Sequence, residues 1–117
     1  MTSPIAVLRT RVALLTSTKM MASPPKMLNG LKLVAWSPVD ARHTATSKTR
    51  HLVAGEVLGP SQALAICYDP DTAAYFLFRC DDAWAVLADT WHQSLDEARA
   101  QGEFEYAGVN STWQDVT

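Results

Sequence analysis

Hydrophobic and polar positions change rhythm three times along the chain. Leu31-Lys-Leu-Val-Ala-Trp36 is a short apolar run stopped by Ser37-Pro38, which favours a strand over a helix. Residues 40–50 are mostly polar and read as a loop or hairpin tip. His51–Leu58 reads as two very short strands around Ala54-Gly55, with Gly59-Pro60 as punctuation. Three strands then follow in succession: Gln62–Asp69, Ala73–Cys80 and Trp84–Thr90, joined by Asp69-Pro-Asp-Thr72 and by Asp81-Asp-Ala83. Turns this short make consecutive strands antiparallel neighbours.

From Ser94 the period lengthens to that of a helix. Ser94 is a natural N-cap and Glu97 completes a Ser-x-x-Glu capping box, with Asp96 and Glu97 suited to the positive end of the helix dipole. Gly108 stands where a left-handed residue would end the helix. Leu95, Ala98, Gly102, Tyr106 and Val109 fall on one face at 100° per residue. Gly102 in the middle of that face predicts close contact with the sheet, since an interior glycine otherwise costs up to ~1 kcal/mol. The expected fold is α+β: an antiparallel meander of four to six strands with one C-terminal helix packed on one face.

Residues 1–28 break the pattern. They hold no acid, are rich in Ser and Thr, and include Pro4 and Pro24-Pro25. Arg9 and Arg11 interrupt the apolar run from Ile5 to Leu15 and spoil it as a signal-peptide core. Acid-free, Arg- and Ser/Thr-rich composition also fits an organellar transit peptide, and Met20, Met21 and Met27 are alternative starts. The expectation is a weakly ordered tail over 1–28 and a single domain over 29–117.

Strand alternation sets Phe76, Phe78, Cys80, Trp84, Val86 and Ala88 on one face of the 75–89 hairpin. Tyr75, Leu77, Arg79, Ala85, Leu87 and Asp89 take the other. Both faces are substantially apolar, yet one helix can cover only one of them. Residues 1–30 or another subunit must cover the second.

In 117 residues, 48% hydrophobic with four Trp, there is room for one globular core and no apolar run of membrane-spanning length. The net charge of −2 hides a polarity: residues 1–59 carry eight Lys/Arg against two acids, and residues 60–117 carry two against ten. Either the halves neutralise each other in the fold, which is the preferred reading, or an acidic surface faces a basic partner. Cys67 and Cys80 lie at opposite ends of their hairpin, well over ~10 Å apart at strand rise and beyond bridging distance. Two free thiols point to a reducing, cytoplasmic setting. The scattered Cys and His show no metal-ligand spacing, and no cofactor motif is present.

Candidate chemistry is sparse. Asp89, Trp91 and His92 form a possible pocket for a small enzyme or ligand-binding protein, with Asp89 and His92 as acid–base pair or ligands, although a strand end leading into the helix cap explains them better. The loop residues Arg42, His43, Lys48, Arg50 and His51, among Thr44, Thr46, Ser47 and Thr49, suggest phosphate contacts. No glycine-rich phosphate motif accompanies them and the domain is not basic, so nucleic acid is an unfavoured partner. No nucleophile elbow exists and neither Cys has a reactive context. Phe104, flanked by Glu103 and Glu105 opposite the Leu95/Tyr106 face, is a potential anchor for a basic partner unless the C-terminal tail with Trp113 folds over it.

Tyr75-Phe-Leu-Phe, Cys80-Asp-Asp-Ala-Trp84, Asp89-Thr-Trp-His92, Leu95-Asp-Glu-Ala98, Glu103-Phe-Glu-Tyr-Ala-Gly108 and Trp113 together resemble a group of small bacterial proteins with no established activity. The resemblance covers about residues 50–113 and implies a bacterial cytosolic protein, with no catalytic residue to carry over. The leading expectation is a non-enzymatic interaction module, binding a protein partner or itself. A basic protein would be met through Asp81, Asp82, Glu103, Phe104 and Glu105, and size and acidity fit an immunity- or antitoxin-like role.

Overall fold

The computed structural model describes residues 21–48, 52–53, 56–57 and 60–116. Its centre is β6, Ala63–Asp69, buried from Ala63 through Cys67. A strand covered on both faces is apolar at every position rather than at alternate ones, which is how this segment reads. A Pro70–Ala73 turn joins it to β7, Ala74–Cys80, and a further loop leads to β8, Val86–His92. Asp69 holds the first turn: its carboxylate accepts from the Asp71 N–H (3.0 Å) and the Thr72 hydroxyl (2.8 Å).

On the other side of β6 runs β2, Leu31–Pro38. Its outer edge is shared by β1, Met27–Leu28, and by the last strand, β10, Gln114–Asp115. The result is a six-stranded antiparallel sheet in the order β8-β7-β6-β2-β10, with β1 also on β2. Asn29 and Gly30 both take positive φ (49° and 80°) and form the two-residue turn between β1 and β2. That turn pulls Met27 and Leu28 out of the stretch expected as tail: Leu28 is buried in the core and Met21 packs against it. Residues 1–20 of that expected tail lie outside the described residues.

Four shorter strands among the described residues lie outside this sheet. β3, Thr44–Ala45, pairs with β9, Tyr106–Ala107, just after the helix. β4, Leu52–Val53, and β5, Glu56–Val57, form the expected tight pair around 54–55. Among the described residues one α-helix, α1, Leu95–Glu105, packs on one face of the sheet. No helix among them is long and apolar enough to cross a membrane.

The ends of α1 differ in how well local signals foretell them. Ser94 caps as expected, its hydroxyl accepting from the Glu97 N–H at 3.1 Å. The Glu97 carboxylate reaches the Gln93 N–H at 3.1 Å, one residue before the cap. The C-terminus comes earlier than Gly108. Tyr106 is already extended because it pairs with Ala45, and Gly108 (φ 103°) instead opens a 3₁₀ turn over Val109–Ser111.

Two apolar clusters sandwich the sheet. The helix side holds Ala35, Leu64, Ile66, Leu77, Ala98, Tyr106 and Val109. The opposite side holds Leu28, Leu33, Ala65, Cys67, Phe78, Cys80 and Trp84. Trp84 adopts φ 66° to turn inward, meets Trp36 edge-on (5.6 Å, 77°) and donates its indole N–H to the Ala22 carbonyl (3.0 Å). Residues 21–28 and this loop tryptophan therefore cover part of the face that α1 leaves open.

Gly102 meets its predicted crowding, from the C-terminal tail as well as the sheet. A Cβ there would lie 2.7 Å from the Trp113 ring and 3.3 Å from Leu64. Gly102→Leu should destabilise the fold by roughly 1–3 kcal/mol. The same substitution in a Trp113→Ala background should cost less, and urea unfolding of the four proteins of this cycle measures both.

Candidate functional site

On the helix side, Arg79 is wholly buried. Tyr75, Leu77 and Arg79 alternate onto this face of β7. Arg79 satisfies itself locally and across the layer. Nη1 donates to the Leu77 carbonyl (2.8 Å) and to Thr90 Oγ1 (2.9 Å), and Nε donates to Glu105 Oε1 (3.1 Å). Nη2 completes a two-point ion pair with the other Glu105 oxygen, which also accepts from Gln101 Nε2 (2.7 Å). Glu105 is only 7% exposed, so its expected place on an outward partner surface is corrected: it faces the sheet. No apolar periodicity marks an inward carboxylate on a helix; the buried Arg79 opposite it is what draws it in.

The same network takes in His92. Thr90 Oγ1 accepts from Arg79 and forms a 2.6 Å hydrogen bond with His92 Nε2, its direction set by the imidazole tautomer. Burial, then the nearby Arg79 charge, holds the His92 ring below the usual histidine range; Glu97 and Glu105 pull weakly the other way.

A β-bulge at Leu87 makes this arrangement possible. Val86 pairs with Cys80 and Ala88 with Arg79, so every residue from Ala88 onward changes face relative to strict alternation. Thr90 and His92 thereby join Arg79, while Asp89 and Trp91 move to the side of Phe76 and Phe78. The expected pairing of Asp89 with the Arg79 face is thus reversed. The pocket expected from Asp89, Trp91 and His92 does not converge either, because β8 runs on through His92 and odd spacings in a strand point to opposite faces.

At the helix C-terminus, Glu103 accepts from the Gly108 N–H (3.0 Å) and the Asn110 N–H (2.9 Å). Those two donors hold its carboxyl below the ordinary range. Phe104 is 45% exposed, and Lys48 Nζ sits 5.3 Å from its ring centroid. Trp113 packs on Gly102 rather than on Phe104. The polar loop is largely structural. Thr46 donates to the Phe104 carbonyl (2.6 Å), and Arg42 forks onto Asp40, whose carboxyl is thereby lowered to about 2. His43 Nδ1 accepts the Asp40 N–H (3.0 Å), leaving Nε2 to donate to Thr112 Oγ1 (2.8 Å). Arg50 and His51 lie outside the described residues.

Asp81 and Asp82 occupy the β7–β8 loop, a different element from Glu103 and Phe104. Asp81 Oδ1 accepts from the Ala83 (2.8 Å) and Ala85 (2.9 Å) N–H groups. Asp82 borders a depression with Met21, Trp36 and Gln62. Cys67 and Cys80 are free and buried, and burial pushes both thiols up to about 12, far from the thiolate form. Ion pairs among the described residues, Asp40–Arg42, Arg79–Glu105 and Arg99–Asp115, each join residues of one half of the chain rather than the two halves.

The open part of the sheet face carries a groove of about 270 Å³ lined by Asn29, Leu31, Asp69, Phe76, Phe78 and Asp89. Phe76 and Phe78 lie parallel, 5.8 Å between centroids and 5° between planes. Asp89 is exposed, and among the described residues its carboxylate has no hydrogen bond or ion pair. Trp91, opposite Phe76 and 47% exposed, extends the aromatic surface. Asp69, Phe76 and Phe78 escape sequence reasoning as site residues; the usable signal is alternation corrected for the bulge.

Removing Glu105 leaves a buried guanidinium without its counter-charge. Glu105→Ala should cost about 3–5 kcal/mol in urea unfolding, and adding Arg79→Met should recover much of that loss. The His92 ring titrates lower in the folded chain than the ~6.5 of the unfolded chain, so its contribution to stability is present above about pH 6.5 and lost as pH falls through and below that value. The urea midpoint should therefore drop between about pH 7.5 and about pH 5.5, and His92→Gln should flatten that slope. No family model matches the chain, and comparison with curated proteins and with solved structures yields no match.

Proposed function

We propose that this protein is a non-enzymatic interaction module that binds a basic protein partner through the open face of its sheet. The observation that carries the reading is the juxtaposition of the exposed Asp89 carboxylate and the exposed Trp91 indole with the parallel Phe76 and Phe78 rings. Aromatic area supplies contact energy and unspent negative charge selects a cationic surface.

The ionisable groups elsewhere support binding over chemistry. Glu105 is committed to Arg79, Asp81 to its loop, Glu103 to the turn after the helix, and both thiols are held protonated by burial. Phe104 remains exposed but already carries Lys48, so it is the lesser anchor. A bacterial, cytoplasmic setting rests on the resemblance of residues 50–113 and on two buried free thiols. Neutralisation of a basic toxin is the immunity-like form that such a role would take.

Titrating the full chain with arginine oligomers of about twenty residues should change tryptophan emission, and raising salt to about 0.5 M should abolish the change. Glutamate oligomers of equal length should leave it unaltered. Equal responses to both oligomers, or none to arginine, would sink the proposal.

A further inference from the structure

We propose that the groove over Phe76 and Phe78 is a receptor for one long basic side chain, lysine or arginine, of an extended partner segment. This rests on the reading of the protein as a module for a basic partner and names the point of contact. The occupant is argued from charge and geometry. The groove has an aromatic floor on β7 and a carboxylate on each flanking strand, Asp69 on β6 and Asp89 on β8.

Those two carboxylates cannot share a small ion. Their strands stand roughly 10 Å apart across β7, and Asp69 pairs opposite Ala74 while Asp89 pairs opposite Phe78, about 13 Å further along. A metal ion needs oxygens at roughly 2.0–2.6 Å, so it would meet one carboxylate and no second. An elongated cation suits the separation better. Its methylene stem lies along the partly exposed Phe76 ring, which is stacked on the buried Phe78, and its charged head reaches Asp89.

The two acids have unequal parts in this. Both Asp69 oxygens already accept from its turn, from Asp71 N–H and the Thr72 hydroxyl, so it contributes negative potential. Asp89 accepts no hydrogen bond from any described residue and takes the head group. A volume of about 270 Å³ is smaller than the ~300–1,000 Å³ of sites that enclose whole small molecules, which fits one side chain entering from a larger partner. Asn29, at the turn between β1 and β2, adds a polar group to the rim.

The test is an NMR titration of the ¹⁵N-labelled full chain with three capped Gly-Ser peptides, identical except for central arginines, lysines or glutamines. Arginine and lysine peptides should shift the amides of Asn29, Leu31, Phe76, Phe78 and Asp89, and the glutamine peptide should not. Asp89→Asn, at an exposed position with no partner among the described residues, should keep the melting temperature and weaken both cationic peptides roughly two- to fivefold. Shifts confined to Glu103 and Phe104 would overturn the groove and the open sheet face as the site, leaving only a basic partner met at the helix C-terminus. A glutamine peptide that binds equally well, or an Asp89→Asn protein of unchanged affinity, would overturn the cation assignment. Failure of all three peptides together with the arginine oligomers would remove both proposals. If replacing Arg9, Arg11 and Lys19 with Gln shifts the same amides without any peptide, the occupant is this chain's own basic segment and the partner assignment falls.

Discussion

The buried Arg79–Glu105 pair is the constraint to which the rest of the architecture answers. A guanidinium with no solvent exposure needs its N–H groups matched and its charge met, or the desolvation cost is several kcal/mol. Here the last residue of α1 supplies the charge, the strand's own Leu77 carbonyl supplies one acceptor, and Thr90 on the neighbouring strand supplies another. Three elements are therefore locked to one side chain. The pair adds little net stability compared with an apolar replacement, but it penalises any other placement of helix or strand.

The bulge at Leu87 belongs to the same solution. With strict alternation, Asp89 would share Arg79's face and Thr90 would not. Inserting one residue hands the ion-pair role to Glu105, brings Thr90 and His92 into the network, and turns Asp89 and Trp91 outward beside the phenylalanines. One local irregularity thus closes the helix side and furnishes the groove on the other.

The two faces consequently differ in character. The helix side is filled by Leu64, Ile66, Leu77, Ala98 and Val109, with Gly102 admitting the Trp113 ring. The opposite side is closed near Trp84, Trp36 and Leu28, and open at Phe76, Asp89 and Trp91. Polar groups in the closed regions serve structure, as in the run from Asp40 through His43 to Thr112 and Ser37. An exposed Asp89 carboxylate with no hydrogen bond to any described residue, beside exposed aromatic area, is what sets the open region apart.

Much of the fold was legible in local sequence because the forces behind it are local. The unbroken apolar run at Ala63–Cys67 marks a strand covered on both faces, the Asp69–Thr72 turn carries its own side-chain hydrogen bonds, and Ser94 caps α1 within one turn of itself. Asn29-Gly30 carried an equally local turn signal for β1. What could not be read were features set by partners distant in sequence. Glu105 looks like a solvated helix residue until Arg79, 26 positions earlier, is placed beneath it. The helix stops at Glu105 rather than near Gly108 because Ala45 pairs with Tyr106. The faces of Asp89 and Trp91 depend on a bulge that no residue at Leu87 announces. Sequence alone determined the α+β class, the hairpin order and the helix start, since propensity, caps and turns act within a few residues. Tertiary structure alone decided which carboxylates are buried and which are exposed, because that follows from long-range register and from the cost of leaving a buried charge unmatched.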